Sequence, residues 1–235
     1  VTEAARRCGS TLEGFGPFLM GDPFRTRDVM LEAHCRARDV IRAGPGDFPV
    51  GITLAMQDLQ AEPGGEARRD RARAESFDVF LDEAARDDFV GVQTYSRTRF
   101  GPDGRLPAEE GVPVLVMGYE YWPQALEGTL RYAAETAQVP VIVTENGIGT
   151  DDDAQRVDYY REALGALVRC LEDGIDVRGY YAWSLLDNFE WLFGYEPRFG
   201  IVGVDRETQE RTPKPSARLL GDVARRNAFD PAAFR

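Results

Sequence analysis

A carboxylate at the end of an apolar run is the residue of this chain best suited to chemistry. Residues Val139–Gly147 read Val-Pro-Val-Ile-Val-Thr-Glu-Asn-Gly. An uninterrupted apolar run is typical of a strand buried on both faces, and catalytic groups follow such strands in parallel α/β barrels. We therefore interpret Glu145 as a candidate nucleophile. The alternative is a solvated glutamate in a turn where Gly147 supplies a positive φ, and these nine residues alone do not decide between the two.

Two further stretches end in polar and aromatic groups at matching places. One ends with Gln93–Tyr95, and the other runs from Trp183 to Glu190 and Trp191. Tryptophan beside carboxylate and amide groups suits a sugar, because the indole face covers the apolar C–H face of the ring while the polar groups bind its hydroxyls. A single tryptophan would more simply be a hydrophobic plug over the sheet edge. Two of them flanking a glutamate favour sugar binding.

The hydrophobic pattern predicts alternating strands and helices. The predicted strands are 49–54, 89–95, the run that ends at Glu145, and 177–185. The predicted helices are 27–43, a segment within 65–87, 123–137, 151–172, and one after Pro215, with a surface loop at 101–113. This alternation predicts a parallel sheet with right-handed crossovers, and four such units are half of an eight-unit barrel. Without a repeat of short period or a linker, residues 1–235 are expected to form one domain.

The composition indicates which classes of ligand and cofactor the protein is suited to bind. The formal net charge is −12 over 235 residues, which disfavours nucleic acid and anionic membranes and leaves a neutral substrate. Cys8, Cys35 and Cys170 are too far apart for a disulfide framework or a paired metal motif, so a cytoplasmic setting is expected. The single histidine, His34, falls in a predicted helix and disfavours a histidine metal centre or triad. We expect no cofactor and no metal.

Three segments together resemble glycoside hydrolase family 1, which holds β-glucosidases and 6-phospho-β-glycosidases. They are Val143–Gly147, Trp183–Trp191 and Arg198–Val202, and the resemblance covers about residues 89–215 in the family's order. It implies a (β/α)8 barrel of the TIM type, of which this chain supplies about the last four units. It also implies a retaining exo-β-glycosidase that hydrolyses terminal β-linked glucosyl or related sugars.

The resemblance assigns roles around the reacting bond. Glu145 matches the nucleophile that forms the covalent glycosyl-enzyme, and Tyr95 matches the tyrosine that hydrogen-bonds it. Gln93 stands where the family has an asparagine near the 2-hydroxyl. A retaining mechanism needs a second carboxylic acid about 5–5.5 Å away, and counting back from Leu31–Cys35, which resembles a helix of the family, places it within a few residues of Glu3. The alternative for Glu3 is a solvated charge, since its neighbours differ from the family's Asn-Glu-Pro.

The resemblance also implies a sugar pocket. Glu190 and Trp191 match the residues that hold the hydroxyls of the sugar in the −1 site, Trp183 matches its aromatic floor, and Phe199 would wall the pocket. Tyr119 stands where the family often carries a tryptophan that stacks on the aglycone. Members that act on phosphorylated sugars usually carry Ser and Lys in the loop that here holds Glu190 and Trp191, so an unphosphorylated sugar is expected.

The first units of the family's barrel have no counterpart in this sequence. Half a barrel leaves strand edges unpaired, which invites pairing with another chain. We therefore expect the C-terminal part of a longer protein, or a half completed by a partner or a second copy. The alternatives to a glycosidase are a catalytically incomplete fragment and a glycan-binding or interaction protein built on the same fold.

Overall fold

The computed structural model describes residues 2–9, 11 and 23–230, and the chain divides into two compact units, Val1–Val50 and Gly51–Arg235. The first unit contains helix α1 (Thr2–Arg7) and helix α2 (Pro23–Ala43). The helix predicted at 27–43 is therefore confirmed, and it ends immediately before a Gly-Pro-Gly sequence, as expected of strong helix breakers. That residues 1–235 form one domain stays a prediction.

The second unit alternates strands and helices. Its strands are β1 (Thr53–Ala61), β2 (Val90–Gly101), β3 (Gly104–Arg105), β4 (Val141–Asn146), β5 (Val177–Tyr180), β6 (Val202–Val204) and β7 (Arg211–Pro213). Its helices are α3 (Glu66–Arg73), a π-helical turn (Ala74–Asp78), α4 (Val79–Ala84), α5 (Ala125–Ala137), α6 (Asp153–Glu172), a 3₁₀ turn (Trp191–Phe193) and α7 (Pro215–Arg226).

Four strands of this unit form a parallel sheet in the order β1-β2-β4-β5. Strand β3 pairs antiparallel with the end of β2, and β6 and β7 form a separate antiparallel pair. The predicted parallel sheet is confirmed, with its strands in chain order. Among the described residues, β1 and β5 are the two edges of the parallel part.

The core lies between the sheet and the helices that connect its strands. Helix α5 turns one face to the sheet, because its apolar residues recur at helical spacing. Fully buried side chains on the two central strands and on this helix are Val90, Val92, Val141, Val143, Leu126, Leu130 and Ala133. Burying each large aliphatic side chain contributes about 1.5–3 kcal/mol, so this layer fixes the strand ends that carry the polar groups.

Two strands extend beyond their predicted ends, because their backbones keep pairing after the apolar pattern in the sequence has stopped. The strand predicted at 49–54 begins at Thr53 and extends to Ala61. Strand β2 does not end at Tyr95 but continues to Gly101, since the two strands keep pairing up to Ala61 opposite Phe100. The predicted loop at 101–113 therefore contains the short strand β3.

The strand predicted at 177–185 is also shorter as a regular element. β5 ends at Tyr180, although the backbone N–H groups of Tyr181 and Trp183 still donate to Val143 and Asn146 of β4 at 2.8 Å. The pair β6–β7 was not predicted, because three-residue strands show too little periodicity to be detected. Helix α6, predicted from residue 151, begins at Asp153, and the Asp152 side chain caps it by accepting a hydrogen bond from the Ala154 N–H.

Candidate active site

The carboxylate of Glu145 lies at the end of β4 and is held by side chains from β2. The register between these strands shifts after Val92, so that Gln93 lies opposite Glu145. Such irregularities redirect side chains and are common beside active sites. The Gln93 Nε2 donates to Glu145 Oε1 at 3.0 Å, and the Tyr95 hydroxyl donates to Oε2. Both carboxylate oxygens are therefore fixed by one neighbouring strand.

Opposing effects set the protonation of this pair. Burial raises the pKa of Glu145, the hydrogen bond from Tyr95 lowers it, and the charge of Glu190 raises it, with a net upward shift. The pKa of Tyr95 is raised by burial and by the Glu145 carboxylate. Tyr95 is therefore a neutral hydrogen-bond donor, and it stabilises the ionised form of Glu145.

Asn146, the next residue, supports the strand end and is fully buried. Its Nδ2 donates to the Thr94 carbonyl at 2.8 Å and to the Tyr159 hydroxyl at 2.9 Å. Its Oδ1 accepts from the Tyr180 hydroxyl at 2.7 Å. These bonds join β2, β4, β5 and α6 directly behind Glu145. The amide is occupied by protein groups, so this asparagine holds the frame and does not face a ligand.

Gly147 lets the chain after β5 approach the end of β4. A Cβ atom at this position would lie 2.0 Å from the Trp183 carbonyl oxygen, well inside contact distance. The Trp183 N–H donates to the Asn146 carbonyl at 2.8 Å. Glycine is needed here for space, and its φ is not in the left-handed region. The close approach brings the indole of Trp183 to the site of Glu145.

Glu190 is oriented by its own loop. The Asn188 Nδ2 donates to Glu190 Oε2 at 2.8 Å, while the Asn188 Oδ1 accepts from the Ser184 hydroxyl at 3.0 Å. Trp191, which follows, has a φ of +46° and an 81% exposed side chain. The loop thus holds the carboxylate of Glu190 by a short relay of side chains and leaves the indole of Trp191 uncovered in the described part of the chain.

An ion pair anchors the same loop from outside. The Lys214 Nζ lies 3.0 and 3.2 Å from the two Asp187 carboxylate oxygens and donates to the Gly200 carbonyl at 2.6 Å. Asp187 Oδ1 also accepts from the Gly200 N–H at 2.9 Å. Sequence reasoning did not assign a role to this pair. The sequence feature that could have drawn attention to it is that Lys214 is the only lysine of the sequence.

A second buried arrangement, around Arg97 of β2, was also missed. The Arg97 Nε donates to Glu120 Oε2 at 2.6 Å, and the guanidinium stacks 3.4 Å from the Trp122 ring centroid. The Ser96 hydroxyl donates to the Glu120 carbonyl at 2.7 Å. These contacts fix the segment that carries Tyr119. No sequence signal distinguished Arg97 from the many other arginines.

A cavity of about 720 Å³ contains Glu145 and most of the other residues predicted for the site. Eight of the nine residues predicted for the site line it: Gln93, Tyr95, Tyr119, Glu145, Trp183, Glu190, Trp191 and Phe199. Phe199 is 1% exposed and packs edge-on against Tyr95, with ring centroids 5.9 Å apart. Glu145 and Glu190 are the carboxylates of the described lining. The cavity combines aromatic faces with carboxylate and amide groups, which is the chemistry of a sugar site.

Glu3, the ninth predicted residue, lies on helix α1 of the first unit. Its carboxylate accepts hydrogen bonds from Arg6 at 2.7 and 2.8 Å and from Arg7 at 2.9 Å. These arginines lower the pKa of Glu3, whereas a general acid needs a raised pKa. Its predicted role as the acid/base is not tested by this environment and stays a prediction.

None of the described helices is both long and apolar enough to cross a bilayer. Over the same described residues, no cluster of three or more His, Cys, Asp or Glu side chains has the arrangement of a metal site.

Known proteins similar to this chain are β-glucosidases and β-glycosidases. Beta-glucosidase A of Thermotoga maritima is 32% identical over 88% of this chain and 57% of its own length. The crystal structure of a β-glycosidase superimposes with a TM-score of 0.88 at 52% identity, covering 97% of this chain and 54% of that one. The Thermotoga maritima β-glucosidase in complex with glucoimidazole gives a TM-score of 0.80 at 29% identity, over 88% of this chain and 57% of that one.

The chain thus spans about half the length of the curated relatives it matches. Its fold is that of a TIM-barrel (β/α)8 protein, of which it supplies about the last four β/α units. The model of glycosyl hydrolase family 1 matches residues 107–229. The chain is therefore a member of glycosyl hydrolase family 1.

Proposed function

We propose that the protein is a retaining exo-β-glycosidase of the β-glucosidase type and that Glu145 is its nucleophile. The observation that carries this proposal is the carboxylate of Glu145, fixed by Gln93 and Tyr95 on the wall of a cavity with two tryptophans. The family and the β-glucosidase relatives support the same reaction. The glucoimidazole complex of one relative supports a glucose-like ligand.

In the proposed first step, a Glu145 oxygen attacks the anomeric carbon and the bond to the leaving-group oxygen breaks. A carboxylic acid donates its proton to that oxygen as it departs. Water then attacks the anomeric carbon of the glycosyl-enzyme and releases the sugar and the Glu145 carboxylate, while the acid residue recovers its proton from that water. Tyr95 keeps Glu145 ionised and oriented, since its hydroxyl donates to the carboxylate.

The sugar would be held by groups of the loop after β5. Glu190 accepts hydroxyl hydrogen bonds in this proposal, and its orientation by Asn188 leaves Oε1 available within the described residues. Trp183 covers the apolar face of the ring, and Trp191 donates its indole N–H to a hydroxyl. Phe199 packs behind Tyr95 and closes the wall of the site.

The general acid/base in this proposal is Glu3, on the strength of the family resemblance.

The second candidate function is a glycan-binding protein or an incomplete glycosidase. One observation favours it: Glu3 is ion-paired to Arg6 and Arg7 on an exposed helix. A partner that supplies the remaining barrel units and a cytoplasmic location also remain proposals.

Labelling with 2-deoxy-2-fluoro-β-D-glucosyl fluoride tests the nucleophile. Fluoride leaves without a proton donor, so the labelling step does not depend on Glu3. We expect the intact mass to rise by one fluoroglucosyl group and peptide mapping to place it on Glu145. Glu145→Gln should prevent the adduct. Glu135→Gln, an exposed carboxylate of α5 that does not line the cavity, is the matched control and should label normally.

The outcomes separate the two candidate functions. An adduct on another residue, or one that persists in Glu145→Gln, would contradict the nucleophile assignment. Binding of a glucoside by folded protein without any adduct would favour the glycan-binding protein.

A further inference from the structure

The hairpin at the end of β2 presents a rigid pair of side chains to the cavity. Strand β3 pairs antiparallel with β2, so that Arg105 lies opposite Phe100. The Leu106 N–H donates to the Arg99 carbonyl at 2.8 Å, and the Arg68 guanidinium donates to the turn at the Pro102 carbonyl at 2.8 Å. These bonds fix the hairpin on both sides.

Residues directly opposite each other in an antiparallel pair project to the same face of the sheet. Phe100 and Arg105 therefore stand side by side, and both line the cavity that contains Glu145. An aromatic ring next to a guanidinium is an arrangement that can bind a flat group carrying an anion.

The guanidinium of Arg105 is available for such a ligand. Within the described residues it makes no ion pair and no hydrogen bond, although its neighbours do. Arg97 pairs with Glu109 and Glu120, and Arg99 pairs with Glu62 at 2.7 Å. Of the three described arginines on β2 and β3, Arg97 and Arg99 are paired with carboxylates, and the exposed Arg105 is not.

The remaining lining determines where an anion could lie. Glu145 and Glu190 occupy the part of the cavity assigned to the sugar, and their negative charges repel an anion there. Apart from these two glutamates, the described lining holds no carboxylate, and it includes the apolar side chains of Phe77, Phe100 and Met117 as well as Arg105. A ligand would therefore carry its sugar at the glutamates and its anionic, aromatic portion at the arginine.

We propose that the aglycone of the natural substrate is an aromatic group bearing a carboxylate, with its ring on Phe100 and its carboxylate on Arg105. This inference rests on the proposed function, because it places the sugar at Glu145. Arginine suits this role, since its planar fork binds both oxygens of a carboxylate.

Equilibrium binding of two non-hydrolysable glucosides tests the proposal without catalysis. The ligands are 4-carboxyphenyl and 4-carbamoylphenyl 1-thio-β-D-glucopyranoside, which have nearly the same shape and differ in charge. Calorimetric titration at pH 7 of the protein containing this chain should give a Kd for the carboxylate that is roughly five- to tenfold lower. The ratio should shrink in 1 M salt, where the Debye length is about 3 Å.

Variants assign the preference to one side chain. Arg105→Met should bring the ratio of the two Kd values close to one, and Arg105→Lys should give an intermediate ratio, because it keeps the charge but loses the fork. Arg225→Met, the same change at an exposed arginine of α7 outside the cavity lining, should keep the wild-type ratio. General damage to the site would weaken the binding of both ligands alike, so the ratio of their Kd values would not change.

Equal affinities in the wild type, an unchanged ratio in Arg105→Met, or no binding of either compound would overturn the inference. The proposed function is judged separately, by the mass of the fluoroglucosyl adduct on Glu145. If Glu145 is labelled but the two ligands bind with equal affinity, the proposed carboxylate preference is wrong and the proposed function still stands.

Discussion

Replacement of Asn146 by alanine should destabilise the second unit strongly. The side chain is fully buried and makes three hydrogen bonds, to the Thr94 carbonyl and to the hydroxyls of Tyr159 and Tyr180, at 2.7–2.9 Å. Each neutral bond contributes about 0.5–1.5 kcal/mol net. Groups left without a partner add to this loss, so we expect the free energy of unfolding to fall by about 3 kcal/mol.

A double-mutant cycle with Tyr180→Phe sharpens this prediction. The Tyr180 hydroxyl makes its hydrogen bond to Asn146 Oδ1. Tyr180→Phe alone should therefore lower stability by about 1 kcal/mol. Added to Asn146→Ala it should have little further effect, because the hydroxyl has already lost its acceptor, giving a coupling of about 1 kcal/mol.

The measurement is urea unfolding followed by circular dichroism, with stabilities compared only between variants of equal m-value. Tyr121→Phe is the matched control, since the Tyr121 hydroxyl makes one weak contact to Glu162 at 3.4 Å, and we expect a change within about 0.5 kcal/mol. A loss below about 1 kcal/mol for Asn146→Ala, or strictly additive effects in the cycle, would refute the argument that this amide joins the strand ends.

The remaining predictions concern protonation. Tyr95→Phe removes the hydroxyl that lowers the pKa of Glu145, so this pKa should rise and the acidic limb of the fluoroglucoside labelling rate should move to higher pH, because only the ionised carboxylate attacks. A limb that stays in place or moves to lower pH would be inconsistent with this role, and Tyr121→Phe is again the control. Glu3→Ala should reduce turnover of substrates with poor leaving groups much more than turnover of activated aryl glycosides, with partial rescue by azide. Equal losses on both substrate types would remove Glu3 as the acid.

The sequence alone determined the alternation of strands and helices and the location of the polar strand end. The strand within Val139–Gly147 could be predicted because a strand buried on both faces is apolar, and the first polar residues after it mark its end. The family resemblance added the roles proposed for the loop from Trp183 to Trp191. Both kinds of signal are local, since they depend on residues adjacent in the chain.

Other features depended on the tertiary structure, because they join residues distant in sequence. The register shift that places Gln93 opposite Glu145 is a property of two paired strands, and the two residues are 52 positions apart in the sequence. The extension of β2 to Gly101 exists because β1 keeps pairing with it. Most of all, the lack of an ion pair at Arg105 among the described residues has no signature in the sequence. Whether an arginine is paired depends on which carboxylates the fold brings near it, and only the folded chain decides that.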